Sequence, residues 1–519
     1  MTMKTKFIIA IIFSLLIVNQ GCELDNKEFS KITPENFYKT AKDAKLAVAS
    51  LYSSSLTGGM FNQDPYSSAI IVADESTDIL TCVFNSSFEQ LRSHTFTQTL
   101  PYNTSGLFTY YRQIAAARLV AKQISAMTIP DAVKNPLIAE AKAIAGWKAE
   151  ILYEWYGPVP YPTDEQILNP SVLSYPSRPT NDDFVKIIED FFSTKDDLIN
   201  ADFGSNFGRV NKGTANMILL KLYMLEAART GDVNFWKKAQ TSAEAIISSG
   251  WYKLLNKYPD IFAVSGKRNL EIIHAVPSDY TFAGNIWHAE ALPNNYPCNL
   301  NRGAGAWGGL KMQWAYYDTF DHKMDQRCSN ALISASYTTD KGLVIDRAHP
   351  FDFRHGLGSG AIPVKYAPDP SGVGSNQIQD FIVYRYADVL LSMAEILNEL
   401  GVDANVTAPV MTQVANDGNT YQSDGGKTAF SFINSIRVRA GLVPLSALSK
   451  NQLRDSILME RGHELYCEGQ RRNDLIRYQR VTNGGGYKIY DVDKNKFLFP
   501  IPDSYMLEYK GNIMQNPGY

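Results

Sequence analysis

A mostly α-helical fold is predicted for this chain of 519 residues by its recurring helical patterns. Residues 138–156 place apolar side chains on one helical stripe, which a Gly-Pro pair ends. Residues 214–230 and 234–249 form two further helical patterns, joined by a short link that begins at Gly231. Such a pair has about the length of one tetratricopeptide unit, a helical hairpin of about 34 residues. The chain is therefore expected to build a scaffold of tetratricopeptide-like hairpins.

Two more helix pairs are predicted on the same grounds. Residues 110–127 are expected to pack against residues 138–156, and residues 380–400 against residues 428–440. The scaffold is expected to occupy mainly residues 35–52, 105–156, 182–250 and 378–478.

Between these blocks the helical period is lost. Residues 53–104, 157–180 and 252–375 are rich in Gly, Pro, Asn, Ser and aromatic residues. Long irregular regions inside a folded protein are usually functional or disordered, and the aromatic content argues against disorder. We expect a loop-rich lobe that is interleaved with the scaffold in a single domain, residues 22–519, and that carries the ligand site.

Bulk composition excludes one class of partner. The hydrophobic content of 45% supports a real core, whereas the net charge of −3 argues against nucleic acid, which requires a concentrated basic surface.

The first 21 residues form a predicted signal peptide. Lys4 and Lys6 precede an apolar run from Phe7 to Val18, which is shorter than the roughly 20 residues of a membrane-spanning helix. Gly21 and Cys22 follow, and this junction resembles a bacterial lipoprotein cleavage site. We expect Cys22 to become the first mature residue and to carry the lipid anchor.

The other four cysteines show no C-x-x-C spacing, so neither a zinc knuckle nor a thioredoxin motif is predicted. Two interpretations stay open for them. Cys298 and Cys328 could form a disulfide, which export permits, or all four could be small buried thiols.

A charged segment lies near the C-terminus, in residues 460–478, with the sequence ERGHELYCEGQRRNDLIRY. Its charges predict a helix of about five turns, on which Glu468 can pair with Arg471 and Arg472. A solvated, ion-paired helix is the simplest physical interpretation.

The word order of that segment resembles the signature helix of the SusD-like (RagB/SusD) family, in which this helix is structural. Further segments with the same resemblance are VYRYADVLLSMAEILNE at 383–399, SFINSIRVRAGL at 431–442 and the closing FPIPDSYMLEYKGNIMQNPGY at 499–519, with residues 140–160 and 208–228 adding shorter matches. The resemblance runs along the whole chain in the family's order.

This resemblance implies a right-handed stack of helical hairpins in a lipoprotein on the outer face of the outer membrane of a Gram-negative bacterium. It also implies non-catalytic capture of an oligosaccharide and its delivery to a SusC-like TonB-dependent transporter, with no cofactor. A peptide-capturing member of the same family is one alternative. A surface glycoside hydrolase is another.

The ligand site is expected among the aromatic residues between Tyr280 and Phe320. A flat aromatic ring covers the apolar face of a sugar, and nearby polar groups satisfy its hydroxyls. Trp307 is surrounded by glycines, which favours an exposed loop tip. Trp314 and Tyr317 could instead lie in the core, on a short helix over 310–321. The candidate ligand-binding residues are Trp307, Trp287, Tyr296, Asn301, Arg302 and Trp314, with Phe84 on a second wall that the family's use of an N-terminal loop suggests.

Other chemistry finds little support. Asp74, Glu75 and Asp78 could supply the two carboxylates of a glycosidase, which lie about 5 to 10 Å apart. His349, Asp352 and His355 invite a metal interpretation, but their spacing matches no metal motif. We therefore expect neither a catalytic residue nor a metal site.

Overall fold

A computed structural model describes most of the chain. The described residues are 37–57, 69–82, 86–99, 101–169, 175–280, 284–297, 307–339, 341–348, 356–479 and 494–519. The predicted signal peptide and Cys22 lie outside them.

Helices dominate the described part of the chain, as predicted. The first nine are Ala41–Thr57 (α1), Ala69–Glu75 (α2), Ser86–Ser93 (α3), Pro101–Ser125 (α4), Asp131–Tyr156 (α5), Asp164–Leu168 (α6), Asn181–Phe191 (α7), Lys212–Thr230 (α8) and Val233–Ser248 (α9). The others are Tyr258–Phe262 (α10), Trp287–Ala291 (α11), Trp314–Tyr317 (α12), Gln326–Ala331 (α13), Tyr386–Leu400 (α14), Ala429–Arg439 (α15), Lys450–Leu465 (α16), Arg471–Arg477 (α17) and Asp503–Glu508 (α18). Short 3₁₀ turns occupy Lys195–Asp197, Val264–Gly266 and Lys494–Phe497.

The strands are short and antiparallel. They are Leu80–Cys82 (β1), Ile272–Val276 (β2), Leu310–Gln313 (β3), Leu332–Ile333 (β4), Tyr337–Thr338 (β5), Val344–Ile345 (β6), Gly360–Pro363 (β7), Phe381–Arg385 (β8), Thr412–Val414 (β9) and Thr420–Gln422 (β10). One sheet has the order β1-β3-β7-β4, and β2-β8, β5-β6 and β9-β10 form two-stranded pairs. In the larger sheet Leu80 lies opposite Met312, and Met312 lies opposite Ala361.

The three predicted helical hairpins are confirmed. Helix α4 packs on α5, α8 on α9, and α14 on α15, while α9 also packs on α14. Local chemistry fixes the α8–α9 link: Gly231 ends α8 in the left-handed conformation, and the Asp232 side chain accepts a hydrogen bond from Asn234 N at 2.9 Å.

Two segments predicted as helices begin as strands. Residues 381–385 form β8, whose five residues are all buried, before α14 begins at Tyr386. Residues 310–313 form β3, and only 314–317 are helical. Tertiary pairing explains both differences, because β8 pairs with β2 and β3 pairs with β1 and β7.

The predicted continuous helix over 460–477 is wrong. Helix α16 ends at Leu465, and Cys467 and Gly469 adopt left-handed backbone angles (φ +59° and +71°) before α17 begins at Arg471. This break separates α16 from α17, and charged side chains of both helices are buried.

The solvated interpretation of this segment is wrong as well, because its charged side chains are buried in a network of ion pairs. Glu464 accepts hydrogen bonds from Arg327 Nη1 at 3.0 Å and Arg385 Nη1 at 2.5 Å, and it also pairs with Arg439 Nη2. Glu271 lies opposite, at 2.9 Å from Arg385 and 3.1 Å from Arg439. Four elements of the fold therefore meet at one buried carboxylate.

The predicted pairing of Glu468 with Arg471 and Arg472 is also wrong. Glu468 lies in the break and contacts Arg385 Nε at 2.8 Å and Lys365 Nζ at 2.5 Å. Arg471 reaches Asp78 instead, with Nε–Oδ1 and Nη2–Oδ2 distances of 2.9 and 2.8 Å. These charges join parts of the chain that are distant in sequence.

Cys328 and Cys467 are buried free thiols and Cys82 is buried as well, which agrees with one of the two interpretations, while Cys298 lies outside the described residues. None of the described helices combines the length and the apolar character needed to cross a membrane.

Candidate functional site

Trp307 lies at the surface of the loop-rich lobe, and 37% of the residue is exposed. Its backbone N–H donates a hydrogen bond to Ala289 O at 2.6 Å, which ties it to α11. Gly308 follows with a φ of +67°, and its carbonyl accepts a hydrogen bond from Lys311 Nζ. Trp307 is therefore an exposed ring on an anchored backbone.

The lysine that holds this loop is buried. Lys311 lies on β3, and burial lowers the pKa of its ammonium to about 7. A buried ammonium needs a hydrogen-bond acceptor, which the carbonyl of Gly308 supplies.

Trp287 is only 1% exposed and lies in the core on α11. Its indole N–H donates to Pro363 O at 2.8 Å, and its backbone N–H donates to Asn285 Oδ1 at 3.0 Å. Because neither face of the ring reaches solvent, the structure removes Trp287 from the candidate contacts. It supports the helix to which Trp307 is bonded.

Tyr296 is half-buried and forms an edge-to-face contact with Tyr337, with 4.8 Å between the ring centroids. The hydroxyl of Tyr337 donates to Asn295 Oδ1 at 3.1 Å. The ring of Tyr296 is thus held at the surface beside an amide side chain.

Trp314 is half-buried, with its indole N–H donating to Leu357 O at 2.7 Å and its ring edge-to-face with Tyr317 at 5.2 Å. The guanidinium of Arg347 lies 4.3 Å from the centre of the Trp314 ring. Asp318 accepts both N–H groups of Arg347, at 2.9 and 2.7 Å, and these hydrogen bonds lower the pKa of its carboxyl. Trp314 therefore packs against Tyr317 on one side and contacts the exposed Arg347–Asp318 ion pair through Arg347.

The two tryptophans lie at opposite ends of β3. Trp314 lies seven positions after Trp307, so even a fully extended chain would place them at most about 23 Å apart. We call Trp307, Tyr296 and Trp314, with Arg347 and Asp318, the aromatic surface. Phe84, Asn301 and Arg302 lie outside the described residues.

The carboxyls considered for catalysis lie in the interior. Asp74, Glu75 and Asp78 are buried, and Asp78 is paired with Arg471. Burial raises the pKa of Asp74 to about 7 and that of Glu75 to about 8. They do not flank an exposed cleft, as glycoside hydrolysis requires.

The described residues contain no cluster of three or more His, Cys, Asp or Glu placed to hold a metal ion. His349, Asp352 and His355 lie outside the described part.

Comparison with known proteins identifies the architecture. Residues 359–519 match the model of the SusD family. A crystal structure of a SusD superfamily protein from Parabacteroides distasonis superposes with a TM-score of 0.74 at 20% identity, covering 94% of this chain and 100% of that one. The chain has the SusD fold. The resemblance of the sequence motifs to that family is thereby confirmed.

Two further SusD-like proteins extend the comparison. SusD-like protein P25 from Formosa agariphila is 24% identical over 514 residues, covering 92% of this chain and 90% of that protein. Surface glycan-binding protein A from Bacteroides thetaiotaomicron, in complex with laminarihexaose, superposes with a TM-score of 0.69 at 20% identity, covering 92% of this chain and 99% of that one.

Four residues of the aromatic surface or its support were not predicted from the sequence: Tyr337, Arg347, Asp318 and Lys311. Tyr337, Arg347 and Lys311 contact a predicted aromatic residue or its loop, and Asp318 holds Arg347, in each case through tertiary contacts that the sequence analysis did not indicate. Arg347 lies two residues before His349, in the segment that also contains Asp352 and His355. This concentration of charged and polar residues was the one sequence feature that pointed to it.

Proposed function

We propose that this protein binds an oligosaccharide on the aromatic surface. The observation that carries the proposal is Trp307, an exposed residue whose own N–H is bonded to Ala289 O and whose neighbour Gly308 is bonded to Lys311. An anchored ring loses little conformational entropy when a ligand stacks on it, so more of the contact energy remains as affinity. The laminarihexaose complex of a protein with the same fold supports the choice of a glucan as the first ligand to test.

The chemistry of the surface fits a sugar. A pyranose has an apolar face for Trp307 and Tyr296, and hydroxyls that need hydrogen-bond partners. The exposed Arg347–Asp318 pair beside Trp314 offers both donors and acceptors. A peptide is the alternative ligand, because its backbone N–H and C=O groups also need hydrogen-bond partners. The laminarihexaose complex of a protein with the same fold favours the oligosaccharide.

The decisive experiment measures laminarihexaose binding by calorimetry to the wild type and to Trp307→Ala. Loss of stacking and of ring burial should weaken binding about tenfold or more, with the melting temperature nearly unchanged. Trp236→Ala, at a half-buried tryptophan on scaffold helix α9, is the matched control and should leave affinity unchanged. If Trp307→Ala binds as tightly as the wild type, the site lies elsewhere.

We further propose that binding is not followed by hydrolysis and that the captured glycan passes to a partner TonB-dependent transporter. Burial of Asp74, Glu75 and Asp78 supports the first point, because the carboxyls considered for catalysis cannot reach a surface ligand. Laminarihexaose should therefore be recovered intact after long incubation. Shortened sugars would contradict the proposal.

The lipid anchor at Cys22 is the remaining part of this proposal. It rests on the predicted signal peptide and on the Gly21–Cys22 junction. In cells, Cys22→Ala should move the protein from the outer-membrane fraction to the soluble fraction, because the thioether-linked lipid is lost. A variant that stays membrane-bound as firmly as the wild type would contradict the assignment.

A further inference from the structure

A cavity of about 380 Å³ lies in the helical scaffold, and none of its lining residues belongs to the aromatic surface. We call it the β2 cavity. It is bounded by α1, α5, the loop before α8, and β2, and its volume falls within the range of about 300–1,000 Å³ that is typical of small-molecule sites. The lining residues are Lys45, Val48, Ala49, Tyr52, Glu140, Trp147, Phe207, Gly208, Arg209, His274, Ala275, Val276 and Pro277.

The walls are mainly apolar and aromatic. Trp147 and Ala275 form a floor that is almost fully buried, whereas Phe207 is half-exposed and Ala49 is exposed. The cavity therefore has a dry floor and a mouth between α1 and the loop at Phe207. Gly208 adopts a φ of +86° in that loop, and a Cβ there would overlap Pro277, so a larger residue would push the loop off the wall.

The charged groups of the wall satisfy one another. Arg209 pairs with Glu140 through two hydrogen bonds, one of them Nε–Oε1 at 2.9 Å, and Tyr52 donates to the same carboxylate at 2.5 Å. The Tyr52 hydroxyl also accepts a hydrogen bond from Val210 N at 2.8 Å. This end of the cavity is neutral overall and holds no strong charge for a ligand.

His274 is different, because it is 4% exposed and its Nδ1 has no hydrogen-bond partner among the described residues. Its ring stands edge-to-face against Trp147, with 4.9 Å between the centroids. Burial and the nearby charge of Lys148 lower the pKa of its imidazole to about 3, so the ring is neutral at physiological pH. A buried polar nitrogen without a partner costs free energy that a ligand could recover.

We infer that the β2 cavity binds a small neutral molecule with an apolar ring and one hydroxyl or carbonyl group. The ring would lie between Trp147 and Phe207, and the polar group would hydrogen-bond to the imidazole of His274. A cation is disfavoured because Lys45 lies at the mouth and Lys148 behind Trp147, with its Nζ 3.9 Å from the ring centre. An anion is disfavoured because the floor offers no free charge to replace its hydration.

Benzyl alcohol and toluene are suitable probes, because they share a ring and differ in the hydroxyl. Saturation-transfer NMR and a titration should show both binding to the wild type. Ala49→Trp covers the mouth from an exposed position on α1, and we expect it to weaken both ligands at least tenfold. Leu46→Trp, at an exposed residue of the same helix outside the cavity, is the matched control and should change neither affinity.

The role of His274 has its own test. His274→Phe keeps a ring of similar size and removes both nitrogens. The variant should lose the preference for benzyl alcohol over toluene by roughly three- to tenfold, which corresponds to one neutral hydrogen bond. Lys45→Trp covers the mouth from a second exposed position, so the test survives if one variant folds poorly.

Three outcomes would overturn the inference. One is that neither probe binds the wild type at about 10 mM. Another is that Leu46→Trp weakens binding as much as Ala49→Trp does. The third is loss of benzyl alcohol binding in Trp307→Ala, which would place the probe on the aromatic surface. Retained laminarihexaose binding in Ala49→Trp would show that the two sites are independent.

Discussion

The ion-pair network around Glu464 and the aromatic surface differ in where their charged groups lie: those of the network are buried, and those of the aromatic surface are exposed. Around Glu464 the charges are fully buried, and each is held by several partners from distant elements. On the aromatic surface the Arg347–Asp318 pair is exposed, with about half of each side chain accessible to solvent. The network fixes how the lobe and the scaffold meet, whereas the surface leaves rings and hydrogen-bonding groups available. The family-like motifs of the sequence fall mainly in the first region and hardly at all in the second.

The largest effect is expected from Glu464→Gln, which removes the shared charge while keeping the side chain's size. Arg327, Arg385 and Arg439 would each lose one of their buried counter-ions, and the free energy of unfolding should fall by about 4–5 kcal/mol, as for other broken buried pairs. Denaturant unfolding measures the change. Asp318→Asn, which breaks the exposed pair, should cost less than about 1 kcal/mol. If the two substitutions lowered the free energy of unfolding equally, the proposed difference between the buried network and the aromatic surface would be wrong.

A smaller loss of stability is expected from Trp287→Ala, at about 3–4 kcal/mol, because the ring is in the core and its indole N–H is bonded to Pro363. Thermal unfolding should show a clear drop in melting temperature for this variant and almost none for Trp307→Ala. If Trp287→Ala keeps the wild-type melting temperature, the assignment of Trp287 to the core is wrong.

The smallest effect concerns Glu75, a buried carboxyl that forms no ion pair with any of the described residues. Burial raises its pKa from 4.5 to about 8. The hydrogen bond that Cys82 N donates to it at 2.8 Å lowers the pKa, but by less than burial raises it. The unfolded chain releases this proton near pH 4.5 and the folded one near pH 8. The contribution of Glu75 to the free energy of unfolding is therefore complete below pH 4.5 and is lost as the pH rises towards 8.

Glu75→Gln should abolish this pH dependence. Each unit by which the pKa is raised corresponds to about 1.4 kcal/mol of stability that the charged form loses and the amide would keep. Part of this gain is offset, because the new amide nitrogen would replace Oε2, which has no hydrogen-bond partner among the described residues. We expect a net gain of about 1–2 kcal/mol at pH 8 and no gain at pH 4.5. Unfolding curves at both pH values check this, and parallel behaviour of the variant and the wild type would contradict it.

Local patterns predicted the helical hairpins because apolar periodicity and caps such as Gly231 lie within the segments that they shape. They did not predict β8, because its strand state depends on β2, more than a hundred residues earlier. Nor did they predict burial of the charges in 460–477, since the partners Arg327, Arg385 and Asp78 come from elsewhere. The ligand-binding residues were even harder to predict, because Trp287 and Trp307 lie in similar irregular sequence. Only the packing of α11 shows that Trp287 is buried and that Trp307 is exposed.

The pairing of Arg471 with Asp78 also has a consequence for the order in which the protein is made. The two residues are 393 positions apart, and Phe499 N donates to Trp155 O at 2.7 Å across a similar span. Because Asp78 is made first, it gains this counter-ion only after the polypeptide as far as α17 is present. A chain that stops before α17 would keep a carboxylate without this counter-ion, so the N-terminal helices cannot complete their packing alone. The packing around Asp78 therefore depends on a helix that is made much later.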